Sequence, residues 1–362
     1  MKYLIYISHP AQFHFFKHTV HTLIKQGHEL KLLIKSKDIL EKLLIEEGFK
    51  YENILQEGRG DGFINTLIAL IKRDIRLLKI TNRFKPDIML GTDASIAHVG
   101  FIKRIPTISV TEDDYEITKK LCKLTYPFTK HIFTPTVCGV GRWDKKKIAY
   151  DGYMKLAYLH PEYFTPDLKK LKIDHELNYF IIRLARLKAY HDKGISGIDI
   201  DLLDEMIQRL EKKGKVYITS EYKLDSKYDK YLLSIPLQDI HHYMAFSSLL
   251  ISESQSMSVE ASLLGIPSIR ISSFTGRISV LEELEHKYNL TYAFKPDHKE
   301  KILLKLDEML DDKSLSDNWK IKQKKLLLDK INVTKYLLWI LNTYPQSYHQ
   351  ISVDKNTQKN FK

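Results

Sequence analysis

Cysteine is scarce: the 362 residues hold two, Cys122 and Cys138, in no CxxC or metal-ligand spacing. That argues against a disulfide framework and predicts free thiols in a reducing, cytoplasmic setting. No apolar stretch approaches the ~18 to 20 residues of a membrane span. The opening run MKYLIYIS turns polar too soon for a signal peptide. Zinc-finger spacings and aromatic-glycine signatures are missing, so no nucleic-acid partner is expected. Glycine is absent between Met1 and Gly27, which rules out a glycine-lined phosphate loop after the first strand. No D-x-D motif follows an apolar strand, and the expectation is therefore no metal and no bound cofactor.

What is present is positive charge, 57 Lys and Arg against 45 Asp and Glu, a formal +12. Such a balance suits anionic ligands or an anionic surface. An apolar share of 43% supports sizeable cores, and the length leaves room for two domains. The lysines of KIKQKKLLLDK read as a solvated helix face.

The first half alternates strand and helix. KYLIYIS reads as a buried strand, and a helix over 13–26 stops at Gly27. LKLLIK, DIMLGT, PTISVT, HIFTPT and KKIAYDG are further strands. That rhythm predicts an α/β chain with a parallel sheet covered on both faces. Two prolines and a lysine cluster break it over 153–177, where the linker is placed, and it restarts with YFIIRLA. The expected division is a Rossmann-like domain over 1–160, another over 161–345, and a flexible tail over 346–362.

In the second half SESQSMSVEASLLGIP interrupts an apolar region on a strand-to-helix turn. Ser254, Gln255, Ser256, Met257 and Ser258 surround a helix start, whose free N–H groups favour a phosphate. Glu260, four residues after Ser256, lies one turn along on the same face, where a carboxylate can accept ribose hydroxyls. The alternative is that the serines only cap the helix. Arg183, where the strand YFIIRLA ends, and Arg186 and His191 on the loop after it offer cations for a pyrophosphate. Thr275 to Arg277 form a further loop on the same rim.

The spacing S-x-x-x-x-x-E-A-x-x-x-G-x-P resembles the sugar-nucleotide site of GT-B enzymes, which include glycosyltransferases and the non-hydrolysing UDP-N-acetylglucosamine 2-epimerases. The resemblance implies a GT-B fold, two Rossmann-like domains with parallel sheets facing across a cleft. It gives the pyrophosphate to the turn Ser254–Ser258, a uridine ribose to Glu260, and a nucleotide diphosphate sugar as the substrate. Where the epimerases carry two glycines this chain has Gln255 and Ser256. SHPAQFHFFK, YDGYMKLAYLHPEYFTPD, SQSMSVEASLLGIPSIR and GRISVLEELEHKYNL resemble the DUF354 family of that superfamily.

SHPAQFHFFK places His9, Gln12, His14 and His18 after the first strand, with His9 and Gln12 as substrate contacts and His14 as a proton-transfer group. Asp93 and Glu112 end later strands and match in order the two strand-end acids of the 2-epimerases. They join His14 as catalytic candidates, although either acid can instead cap a helix. The epimerase H-R-x-E-N pattern is absent. A transferase passing a sugar to a glycan or lipid-linked acceptor, in surface polysaccharide synthesis, is favoured over an epimerase or a non-catalytic binding protein. Lys72, Arg76, Lys79 and Arg83 form a basic stripe beside Leu67, Ile71, Ile75 and Leu78. This apolar face is expected to pack on the sheet, and peripheral membrane contact is the lesser reading.

Overall fold

The computed structural model describes residues 1–35, 38–55, 63–173, 178–185 and 197–362. The chain divides into two compact units, Met1–Tyr158 with Ile331–Lys362, and Leu159–Lys330.

The first unit alternates as expected, with one strand, Tyr51–Leu55, that the apolar runs do not predict. It comprises β1 (Lys2–Ile7), α1 (Pro10–Lys25), β2 (Glu29–Lys35), α2 (Asp38–Glu46), β3 (Tyr51–Leu55) and α3 (Phe63–Phe84). Next come β4 (Ile88–Gly91), α4 (Ala94–Lys103), β5 (Thr107–Val110), α5 (Lys119–Thr125), β6 (His131–Pro135), β7 (Lys147–Tyr150) and the short α6 (Leu156–Leu159). The seven strands are parallel in the order β3-β2-β1-β4-β5-β6-β7. Strand order reverses at the β1/β4 boundary. Right-handed crossovers therefore put α1 and α2 on one face and α3, α4 and α5 on the other. At the boundary Tyr6 pairs with Gly91, and a Cβ on Gly91 would lie 2.7 Å from the Tyr6 carbonyl oxygen, so glycine is required by close approach.

The second unit contains β8 (Tyr179–Leu184), α7 (Ile200–Glu211), β9 (Lys215–Ser220), α8 (Ile240–Ala245), β10 (Leu249–Ser252), α9 (Gln255–Leu264) and β11 (Ser268–Ile271). It continues with α10 (Ser279–Glu282), a π-helical turn (Glu283–Lys287), β12 (Tyr292–Phe294), α11 (Lys299–Asp311) and α12 (Leu315–Asp329). Its parallel sheet runs β12-β11-β10-β8-β9, with the reversal at β8/β10.

Three expectations need correction. Residues 346–362 are not a loose tail. They form α14 (Gln346–Val353), after α13 (Val333–Asn342), and a closing 3-10 turn. The reason is apolar: Val333, Tyr336, Leu337, Ile340 and Leu341 are buried, α13 packs on α1, and the Phe361 ring lies tilted against Tyr336 and Trp339. The assigned linker begins in buried structure, because Tyr153 to Leu159 are almost all apolar and covered. The apolar face of α3 is also not the one on the sheet. Leu70, Leu77 and Ile80 are buried and Leu78 is half-buried against the same core, whereas Leu67, Ile68, Ile71 and Ile75 are exposed.

Candidate functional site

In the second unit the apolar strand β10 ends at Ser252, and the serine run starts α9. Ser254 is the N-cap, and its Oγ accepts from Met257 N at 3.3 Å. Ser258, fully buried, donates its hydroxyl to the Ser254 carbonyl at 3.1 Å. Helix geometry leaves the N–H groups of Gln255 and Ser256 at the positive end of the dipole. The far end is neutralised by lysine, as a helix C-terminus prefers. Gly265 takes the left-handed conformation there, Lys320 Nζ donates to Leu264 O at 2.8 Å, and Gln323 Nε2 donates to Leu263 O at 2.7 Å. Part of the presumed solvated lysine face thus serves this helix.

Glu260 is buried on α9, and its Oε1 lies 3.3 Å from Nε2 of the equally buried His241 on α8. Arg183, the penultimate residue of β8, pairs with Glu221. His191 and Arg186 lie outside the described residues. Two groups here had no role in the sequence reading. Glu253 sits where strand order reverses. Its carboxylate accepts from Ala185 N at 2.7 Å and from Ile198 N at 2.6 Å, and burial raises its pKa. His241 gave only the signal of a histidine in an apolar helix.

In the first unit the β1/β4 boundary carries several predicted residues. His9 is the N-cap of α1, its Nδ1 accepting from Ala11 N at 3.2 Å. Gln12 accepts from Ser8 N at 2.7 Å and donates to the Thr92 hydroxyl, tying the ends of β1 and β4 together. Asp93 caps α4 through Ser95 N at 3.0 Å, and Arg73 Nε lies 3.5 Å from it. His14 lies between aromatic rings, 5.2 Å from Phe13 and 5.2 Å from Tyr158, centroid to centroid. His18, deeper in α1, has its pKa lowered to about 4 by burial, with Lys17 adding to the effect, so its imidazole stays neutral.

Glu112 follows β5 and is bound from a distance in sequence. It accepts from Met154 N and pairs with buried Lys155. Asp93 and Glu112 are therefore each engaged with their own cation. Lys155 was missed because nothing local connects it with a strand 43 residues away.

Among the described residues one group of three could offer metal ligands, Glu282, Glu285 and His286. It fits a metal poorly. The fully buried guanidinium of Arg270 already stands 3.7 Å from Glu282 and 3.9 Å from Glu285, while Glu282 also accepts from Gly276 N at 3.0 Å. A cavity of about 320 Å³ between β3 and α3, lined by Glu52, Asn53, Arg76, Lys79 and Arg83, lies in the other unit from the serine turn.

A family model described as "Protein of unknown function (DUF354)" matches residues 1–314. The chain belongs to the DUF354 family. Solved structures resemble this DUF354 chain over nearly its whole length. The S. aureus MnaA–UDP complex shares 13% identity at a TM-score of 0.70, covering 96% of this chain and 97% of that one. The UDP-GlcNAc 2-epimerase from Methanocaldococcus jannaschii shares 16% at 0.61, covering 90% and 98%. The spinosyn rhamnosyltransferase SpnG with spinosyn aglycone shares 11% at 0.59, covering 94% and 99%. None of the curated proteins matches. At these identities the likeness establishes fold, and the two parallel-sheet units are those of the GT-B class.

Proposed function

We propose that this DUF354 protein is a glycosyltransferase that uses a nucleotide diphosphate sugar, with the nucleotide at the N-terminus of α9. The observation that carries the reading is the serine-capped start of α9 beside the strand reversal, with Glu260 one turn along. Free N–H groups and the helix dipole favour the pyrophosphate there, and a carboxylate at Glu260 suits ribose hydroxyls. Uridine is the proposed base, supported by the UDP in the MnaA structure.

The acceptor is a glycan or a lipid-linked sugar, and its hydroxyl needs one base. His14 is the better candidate in the first unit, because Asp93 already caps α4 and faces Arg73 while Glu112 holds Lys155. His9 and Gln12 border the same strand ends. No metal or further cofactor is invoked.

Calorimetry with UDP-sugars tests the nucleotide site. Glu260→Ala should bind about tenfold to a hundredfold more weakly, the loss of a charge-assisted hydrogen bond, with an unchanged circular dichroism spectrum. Equal affinity for the two proteins removes Glu260 from the site.

A second reading, an isomerase of the 2-epimerase kind, draws support from the epimerases among the fold relatives. Incubation with UDP-N-acetylglucosamine in deuterated water separates the two. UDP release that depends on an added acceptor supports transfer. Deuterium at C2 with a mannosamine product establishes epimerisation instead.

A further inference from the structure

We propose that the face of the first unit built by α3, α4 and α5 docks on an anionic lipid bilayer. Its core is apolar and uncovered: Ile71 is 49% exposed, Ile75 51%, Phe101 61% and Ile102 64%. Leu121 and Leu124 on α5 and Phe128 beyond it are also exposed. Large side chains clustered on neighbouring helices differ from single exposed leucines, which any surface carries.

The three helices are fastened to one another at this face. Asp74 of α3 bonds His98 Nδ1 of α4 at 2.9 Å, and His98 Nε2 reaches the Leu124 carbonyl of α5 at 2.9 Å. The His98 ring meets Phe128 edge-on at 4.9 Å, and Phe128 in turn meets Phe101 at 5.6 Å. Two acceptors facing the two ring nitrogens favour the imidazolium, and the carboxylate of Asp74 raises the His98 pKa. The apolar residues are thus set in one preformed surface.

Charge decides the occupant. The cations that count are on α4 and α5, because Arg73 of α3 is buried against Asp93 and Arg76, Lys79 and Arg83 line the cavity beside β3, while the acid at this face, Asp74, is taken up by His98. Lys103, Arg104 and Lys123 stand exposed beside the apolar residues. Apolar side chains inside a basic rim match acyl chains beneath anionic headgroups. A second copy of the chain would bring two basic rims together, which like-charge repulsion opposes. Across all described residues no helix is long and apolar enough to cross a membrane, so the contact is one of lying on the surface.

The test is sedimentation of the full chain with phosphatidylcholine vesicles, with and without phosphatidylglycerol, and it requires no sugar nucleotide. Its failure is therefore separate from failure of the glycosyltransferase reading. The chain should sediment with the anionic vesicles and much less with the neutral ones. The Ile71→Ser/Ile75→Ser variant should bind about tenfold more weakly, and Lys103→Gln/Lys123→Gln also about tenfold or more, since each base near the surface contributes roughly a fivefold factor. All four positions are exposed, and circular dichroism verifies folding. No sedimentation with anionic vesicles overturns the proposal, as does binding that the isoleucine variant leaves unchanged. A stable dimer in sedimentation velocity that Ile75→Ser dissociates would also overturn it, giving the face to a second copy.

Discussion

At the strand ends of the first unit the acids meet cations: Asp93 faces Arg73, and Glu112 pairs with Lys155. At the strand reversal of the second unit Glu253 is held by two backbone N–H groups, and the neighbouring helix start offers more of them. The difference has a physical consequence. Carboxylates paired with buried cations are committed to holding loops in place, because separating them strands a charge in a poorly solvated site. A turn organised by N–H groups and serine hydroxyls has donors to present to an anion. On the proposed reading the phosphate belongs to the second unit, while Asp93 and Glu112 serve the first unit as structural ion pairs.

The largest expected effect tests the rigidity of the first unit. Lys155→Met leaves Glu112 buried without its cation and should cost about 3 to 5 kcal/mol in urea unfolding. Adding Glu112→Gln to that variant should recover part of the loss, since the stranded charge is then gone. A loss below about 1 kcal/mol for Lys155→Met would mean that solvent reaches the pair and that the contrast between the two crevices is false.

That pair also marks the limit of what the sequence discloses. Most strands were legible because short apolar runs bounded by turn formers have few other readings, as in KYLIYIS and DIMLGT, whereas β3, YENIL, with Glu52 and Asn53 in its five residues, was not legible. The start and stop of α9 were legible too, since serine at an N-cap and glycine in the left-handed C-cap act locally. Lys155 could be assigned to Glu112 only with the order of β5, β6 and β7 in hand. The return of Ile331–Lys362 to the first unit is equally non-local: the stripe on α13 announces burial but not against which unit. In α3 two apolar faces compete, and composition does not say that the Leu70–Leu77 face packs on the sheet while Ile71 and Ile75 remain exposed.

A middle-sized effect concerns Glu253. Glu253→Gln keeps one acceptor oxygen but turns an NH2 group toward an N–H, at a cost of about 1 to 3 kcal/mol. Its pH dependence carries the sharper information. Burial raises the folded-state pKa above the unfolded value, so the native protein binds the proton more readily. Stability from this group is then greatest on the acid side and falls as pH climbs from the ordinary glutamate range through the raised value. The variant lacks that slope, so its deficit relative to the parent should shrink as pH rises. A deficit that instead grows with pH would show that the two N–H bonds outweigh burial.

The smallest effect compares two helix caps. Ser254 and Asp93 occupy the same structural place, each following a strand end and each accepting from the first turn of the next helix. Ser254→Ala removes one hydrogen bond to Met257 N and should cost about 1 kcal/mol. Ser258 retains its bond to the Ser254 carbonyl, which the substitution leaves in place. Asp93→Ala removes a cap and also strips buried Arg73 of its carboxylate, so its cost should be several-fold greater. Denaturant midpoints at equal slope read the two directly. If Ser254→Ala proves as costly as Asp93→Ala, the serine turn is a structural lock like its counterpart, and the helix start has no donors to spare for a phosphate. If the cost stays small while affinity for a UDP-sugar falls, the turn presents its donors outward, which the proposed nucleotide site requires.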